Sequence, residues 1–147
     1  MSDTYSFMDV AASLTGPGGQ IDLGYGAAVA EEGITIDPAG DKNTMTIGAD
    51  GEGMHSMHAD KSGTVTVRFL KTSPQNAKLQ HLYNAQQLAP ALWGNNVIVV
   101  RLPRTGEITT ARSCAFKKKP SVVYAKVGPM LEWVFDSVKI DTVLGTY

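Results

Sequence analysis

Two imidazoles, one thiol, a run of three lysines and a glycine-rich turn are the groups in this chain whose spacing could support chemistry. His55 and His58 stand three residues apart in Met54-His55-Ser56-Met57-His58, and on a helix that spacing would bring both rings to one metal ion. The stretch is flanked by glycine and reads as strand or loop, where residues three apart point to opposite faces. No third ligand cluster lies near it in sequence, so no metal is expected. Cys114 is the single cysteine; with Arg112, Ser113, Ala115 and Phe116 around it, it has no local base to make it a nucleophile and reads as a small core residue. Gly16-Pro17-Gly18-Gly19 lacks the lysine and the following helix of a phosphate loop and reads as a turn. Lys117, Lys118 and Lys119, beside Pro120, could meet phosphate, but the chain has a formal net charge of −1 and only 7% aromatic residues. A solvated corner, or a partner for acidic groups on a neighbouring subunit, is the simpler reading; exposed pairs of that kind are worth about 0–1 kcal/mol each. No catalytic residue and no cofactor is expected, and an enzyme reading would have only the two histidines to rest on.

The near-zero net charge conceals an asymmetry. Residues 1–62 carry ten acids against two lysines, a net of −8, whereas residues 63–147 carry eleven basic groups against four acids, a net of +7. Either the two halves interleave in one domain and their charges mix over its surface, or they form complementary faces that attract copies of the same protein and repel wrong registers. A length of 147 residues suits a single domain spanning residues 1–147. No run of about 18 apolar residues could cross a bilayer, and Met1-Ser2-Asp3-Thr4 lacks the basic and apolar regions of a signal peptide. One unpaired cysteine fits a reducing compartment.

The elements that must position these groups are mostly strands. Met8, Val10, Ala12 and Leu14 alternate with polar or small residues, the glycine-proline turn follows, and Ile21, Leu23 and Tyr25 alternate again, which predicts a β-hairpin. Ile34-Thr35-Ile36 leads into the turn Asp37-Pro38-Ala39-Gly40-Asp41, and Thr44 to Ile47 forms a short strand. Gly48 to Ser62 is either a long loop or a weak hairpin. Val65, Val67 and Phe69 fall on one face of a strand and Thr64, Thr66 and Arg68 on the other. Ser73 then caps a helix with Pro74 in its first position, and Leu79, Leu82, Tyr83 and Gln86 give it one packing stripe. Its expected extent is about residues 74–92. Val97 to Val100 is apolar on both faces and predicts a central strand covered on each side. Ile108 to Phe116 returns antiparallel, and Leu131, Trp133 and Phe135 mark a last strong strand. Seven to nine strands with one helix make the fold class mainly β, an antiparallel β-sandwich or barrel with one packed α-helix.

Trp133, Phe135 and Trp93, at the end of the helix, read as core. Tyr5 and Phe7 lie near a terminus, opposite Met8 and Val10; they belong either to an arm that packs on a neighbour or to an ordinary first strand buried on both faces.

The block Asp60, Gly63, Val65, Val67, Thr72, Ser73, Pro74 and Asn76 resembles the tail tube protein family of contractile-tailed bacteriophages. A second likeness runs through Phe116-Lys117-Lys118-Lys119-Pro120, Tyr124-Ala125-Lys126 and Glu132-Trp133. The resemblance covers most of the chain after about residue 40, whereas residues 26–59 match no motif of the family. It implies a structural subunit that forms hexameric rings stacked into the hollow inner tube of a phage tail, distantly similar to the type VI secretion tube. The implied partners are other copies of itself, the tail sheath, the tape measure protein and the baseplate or tail terminator, with double-stranded DNA passing through unbound and no membrane insertion. The implied location is the virion tail, assembled in the bacterial cytoplasm. A conduit for DNA should have an acidic or neutral lining, and Asp9, Asp22, Asp37, Asp41, Asp50 and Glu52 are the candidates to face it. Tyr5, Phe7, Lys117, Lys118 and Lys119 are the candidates for contacts between subunits. The alternative is another β-rich tail or baseplate component with a fixed, small oligomeric state.

Overall fold

The structure, a computed structural model, describes residues 4–24 and 29–146, with side chains described from Gly33 onward in the second stretch. Among the described residues there are nine strands and one α-helix: β1 (Ala11–Gly16), β2 (Gly19–Asp22), β3 (Val29–Pro38), β4 (Asn43–Ile47), β5 (Gly53–Met57), β6 (Gly63–Leu70), α1 (Gln75–Gln86), β7 (Asn96–Leu102), β8 (Glu107–Lys118) and β9 (Met130–Val143). Seven of the strands form one antiparallel sheet in the order β2-β1-β7-β8-β9-β6-β3, and β4 pairs with β5 alone. The fold is therefore mainly β with one packed helix, as the sequence pattern predicts.

Alternation places Val65, Val67 and Phe69 of β6 inward, where they meet Phe135, Trp133 and Leu131 of β9 in register. Ala12 and Leu14 of β1, Ile21 of β2, Ile98 of β7 and Phe116 of β8 join the same cluster, and Leu79 and Leu82 of α1 pack into it. Strands from both ends of the sheet thus share one core, so the sheet curls around it. Among the described residues no pairing joins β2 to β3, and both remain edges.

Four expectations are revised. Met8 does not lie in a strand: Phe7–Asp9 is a 3-10 turn whose start is held by the Ser6 hydroxyl, and β1 begins at Ala11. The helix stops at Gln86 rather than near residue 92. Pro90 excludes a helical conformation from the residue before it, and Ala89 is extended (φ −149°, ψ 140°); Leu88, which suits the helical pattern, is 84% exposed. Trp93 is 37% exposed and caps the core edge, its ring tilted against Phe116 and Tyr83. Strand β7 is central, between β1 and β8, but only its Ile98 face is buried; Val97 and Val99 are half-buried on the other. Tyr25 lies outside the described residues.

Strand β8 carries two irregularities, one against β9 between Phe116 and Lys118 and one against β7. Asn96 pairs with Cys114 but Ile98 with Ala111, so β8 holds one more residue than β7 over this stretch. Ser113 has φ 52°, the left-handed conformation of a bulge residue, and the inward phase changes there, from Ala111 to Cys114 and Phe116. On β9 the Ser137 hydroxyl lies 2.8 Å from the Arg112 carbonyl and 3.1 Å from that of Lys139, so the disturbed backbone keeps a buried partner.

Candidate functional site

The positions expected to carry function lie on the surface, in four places. The first is the β4–β5 hairpin, which resolves the open reading of residues 48–62. Antiparallel register places Asn43 opposite Met57, Met45 opposite His55 and Ile47 opposite Gly53, so Met45, Ile47 and Met57 share one face. They are 58%, 56% and 90% exposed. A two-stranded ribbon with an uncovered apolar face is marginal alone, and such a face marks a contact surface. Asp50 and Glu52 form its tip, where the Asp50 carboxylate accepts the Glu52 N–H at 3.1 Å. His55 meets Asn43 on the apolar face (3.2 Å), whereas His58 lies against Thr44 (2.9 Å) and the Asp41 carbonyl (3.0 Å) on the other. The two rings therefore do not converge, and among the described residues no group of three metal-binding side chains forms. At the hairpin base the Asp60 carboxyl is held below the usual carboxylate range, first by hydrogen bonds from Ser62 and then by the charges of Lys42 and His58.

The second place is the far end of the same strands. Strand β6 starts at Gly63, beside Pro38 and Ser137, and ends at Leu70, beside Met130. Lys117, Lys118 and Lys119 are exposed where β8 ends partway along β9, Lys118 opposite Val134 and lining a depression with Met130 at this far end. Lys117 reaches Asp136 at 3.9 Å, and Lys119 sits 5.9 Å from the centre of the Tyr83 ring. In the loop that follows, Val122, Tyr124 and Val127 are 73%, 85% and 78% exposed. Lys71 anchors that loop, donating to the Val123 carbonyl at 3.1 Å and lying over the Tyr124 ring at 4.6 Å.

The third is the outward face of β3, β6 and β9. Thr35 stands opposite Thr66, Asp37 opposite Thr64, Thr64 opposite Asp136 and Arg68 opposite Glu132. Arg68 bridges this face, at 3.3 Å from Glu132 and 2.9 Å from the Thr35 hydroxyl. The row is hydroxyl-rich and carries carboxylates on both flanks; Val134 lies within it, and Leu70 and Met130 close its far end with apolar side chains. Of the six acids singled out above, all exposed, only Asp37 belongs to it. Asp22 ends β2 and binds the Gly24 N–H, Asp9 closes the 3-10 turn, and Asp41, Asp50 and Glu52 belong to the hairpin and its base. Glu132 and Asp136 share the row by register, a placement that net charge by sequence half could not reveal.

The fourth is the N-terminal segment. Tyr5 is 62% exposed and Phe7 half-buried; they line a depression of about 180 Å³ with Val10, Ile34, Val100 and Ile108. The segment lies on its own chain, with the Thr4 carbonyl accepting from Arg104 at 3.3 Å.

Three amides, Gln86 and Asn96 buried and Asn76 half-buried, position these surfaces, in roles not evident from sequence. Asn76 accepts the Trp133 indole N–H at 3.1 Å and donates to the Leu70 carbonyl at 2.9 Å, which ties the helix start to β9 and to the end of β6. At that start Pro74 has helical dihedrals (φ −66°, ψ −17°), and the Ser73 hydroxyl accepts the Gln75 N–H at 3.3 Å. Gln86 and Asn96 join the helix end to β7. Cys114 is buried, its thiol 3.3 Å from the Ala111 carbonyl, and burial raises its pKa, the reverse of what a nucleophile needs.

The fold recurs in solved structures at low sequence identity. The tail of an empty GTA particle, refined with C6 symmetry, matches with a TM-score of 0.63 and 11% identity over 97% of this chain and 100% of that one. The sheath/tube terminator of PVC, an extracellular contractile injection system, matches at 0.60 and 13% over 97% and 98%. The tube-terminating cap of the anti-feeding prophage matches at 0.58 and 12% over 99% and 95%. No curated protein matches by sequence. The profile of the family described as Bacteriophage PhiTE tail tube protein matches residues 1–145, essentially the whole length that folds around the core described above, and the chain therefore belongs to the PhiTE phage tail tube family.

Proposed function

We propose that this protein assembles into stacked rings, hexameric as the family resemblance implies, that form the hollow inner tube of a contractile phage tail and conduct the genome into the host. The observation that carries this reading is the pair of unpaired sheet edges, β2 and β3, at opposite ends of one curled sheet. Open edges invite pairing with another chain, and a ring of identical copies is the arrangement in which every edge can be covered without an end. The hydroxyl- and carboxylate-bearing face of β3, β6 and β9 suits a water-filled channel. On this reading it lines the lumen through Asp37, Glu132, Asp136 and the threonines, and it repels the phosphates of passing DNA instead of binding them. The other five acids, Asp9, Asp22, Asp41, Asp50 and Glu52, then serve elsewhere. Sheath, tape measure and terminator proteins are the partners such a tube requires.

Apolar burial and strand pairing supply most of the assembly energy, with charge setting orientation, because obligate interfaces resemble a domain core cut in half. Negative-stain microscopy of purified, concentrated protein tests the reading. Long hollow tubes or ring stacks are the expected result; uniform compact particles would refute it. Those particles would instead support a second reading, a tail component of fixed small oligomeric state, which draws on the likeness to a tube-terminating cap and to a sheath/tube terminator.

A further inference from the structure

The acidic hairpin and the lysine cluster lie at opposite ends of the same strands. Residues 37–61 carry five acids (Asp37, Asp41, Asp50, Glu52, Asp60) and two lysines, a net of −3, and they leave the main sheet where Pro38 pairs with Gly63. At the other end of β6 and β9, Lys71 directly follows Leu70, Lys126 lies in the loop that Lys71 anchors, and Lys118, although paired with Val134, lines a depression with Met130 and Glu132, with Lys119 next to it; Lys117 lies farther along the sheet, beside Asp136. Eight residues of extended chain separate the two ends by about 23 Å, so the hairpin of one molecule does not reach its own lysines. Each end also exposes apolar side chains: Met45, Ile47 and Met57 on the hairpin, Val122, Tyr124 and Val127 beside the lysines.

We infer that these two ends are the two halves of one contact between copies, the hairpin of one subunit seating on the lysine-bearing end of the next. The contact is heterologous: it uses two different surfaces of the same chain, and it leaves a free hairpin at one end of the pair and a free lysine end at the other, so it repeats in one direction. Charge complementarity selects this pairing, because hairpin against hairpin and lysine end against lysine end both set like charges together. The apolar side chains supply area that would otherwise stay wet. This inference rests on the tube reading and assigns its polarity to named residues.

Charge reversal tests it. Asp41→Lys with Glu52→Lys alters the hairpin while sparing Asp50 and Asp60, whose carboxylates hold backbone N–H groups. Lys118→Glu with Lys119→Glu alters the other end. Each double variant alone should require on the order of tenfold more protein to assemble, since several exposed pairs of about 0–1 kcal/mol each turn repulsive. An equimolar mixture of the two should recover assembly, because each altered end then meets its complement. Circular dichroism and thermal melts establish that the variants are folded. In wild-type assemblies, zero-length carboxylate-to-amine crosslinking between isotope-labelled and unlabelled copies should join Glu52 or Asp50 to Lys118 or Lys119, a readout that does not depend on the variants folding. Tubes unaffected by either reversal, a mixture that fails to recover, or wild-type crosslinks that never join these ends would each overturn the contact while leaving the tube reading intact. A wild-type chain that stays monomeric would overturn both.

Discussion

Gln86 and Asn96 exchange hydrogen bonds side chain to side chain. Gln86 Nε2 donates to Asn96 Oδ1 at 2.7 Å, and Asn96 Nδ2 donates to Gln86 Oε1 at 2.9 Å. Asn96 Nδ2 also lies 3.2 Å from the Cys114 carbonyl, and Gln86 Nε2 lies 3.4 Å from that of Pro17. Both residues are essentially fully buried, so this pair joins the helix end, the β1–β2 turn, β7 and β8 in one satisfied network. Gly16 belongs to the same fit, because a Cβ there would overlap the Asn96 amide.

Removing one amide strands the other in the interior. Gln86→Leu and Asn96→Leu should each lower stability by about 1–3 kcal/mol, and the double variant should lose clearly less than the sum. Urea unfolding of the four proteins measures the coupling; strict additivity would contradict the network.

Asn76→Ala removes the acceptor of the Trp133 indole N–H and a donor to the Leu70 carbonyl together. Loss of about 1–3 kcal/mol is expected, with the Trp133 fluorescence changed in the folded protein. Phe116 touches four aromatic rings, with centroids from 4.8 to 6.4 Å; Phe116→Ala should cost about 3–5 kcal/mol, the larger effect of the two.

The Cys114 thiol should resist alkylation in the folded protein and react at once in denaturant, as mass spectrometry of labelled protein would show. Burial raises its pKa, so the folded state holds the proton more tightly than the unfolded chain does. The associated stability is fully present below the unfolded value of about 8.5 and declines as pH rises through the folded one. Cys114→Ala should flatten the alkaline limb of a stability–pH profile.

Asp60 has the opposite sign. Hydrogen bonds from Ser62 hold its pKa below the unfolded value of about 3.9, so its contribution is present above that value and fades as pH falls through the folded pKa. Asp60→Asn should remove this acid sensitivity at the hairpin base, and a two-dimensional NMR titration of the Asp60 carboxyl would reveal the lowered midpoint.

Patterns of period two and the helix punctuation were legible where they were local. β6, β9 and the existence of α1 follow from residue spacing alone. The ribbon of Asn43–Ile47 and Gly53–Met57 was only half legible, because its outward methionines and isoleucine imitate a buried strand while nothing in this chain covers them. The helix end was misplaced because Leu88 and Leu92 continue the apolar spacing past Pro90. Strand order, and with it the polar row of Asp37, Glu132 and Asp136, depends on pairings between residues about 25 to 75 positions apart that no local pattern encodes. The Gln86–Asn96 pair is hidden for a related reason: a buried amide has the same letter as a wet one, and only its partner distinguishes them.

The extra residue at Ser113 makes β8 two half-strands of opposite parity. Side chains before it count from Ala111 and those after it from Cys114, so the inner and outer faces of the strand are set by a single insertion and not by the side chains alone. Flattening the bulge into regular alternation with Ser113 kept in place would turn Arg112 and Thr110 toward the apolar interior and send Ala111 outside, inverting half of a strand in one step. The two halves of β8 share one inner face only while Ser113 holds its left-handed conformation, so the backbone at that one position governs which side every residue from Glu107 to Arg112 presents.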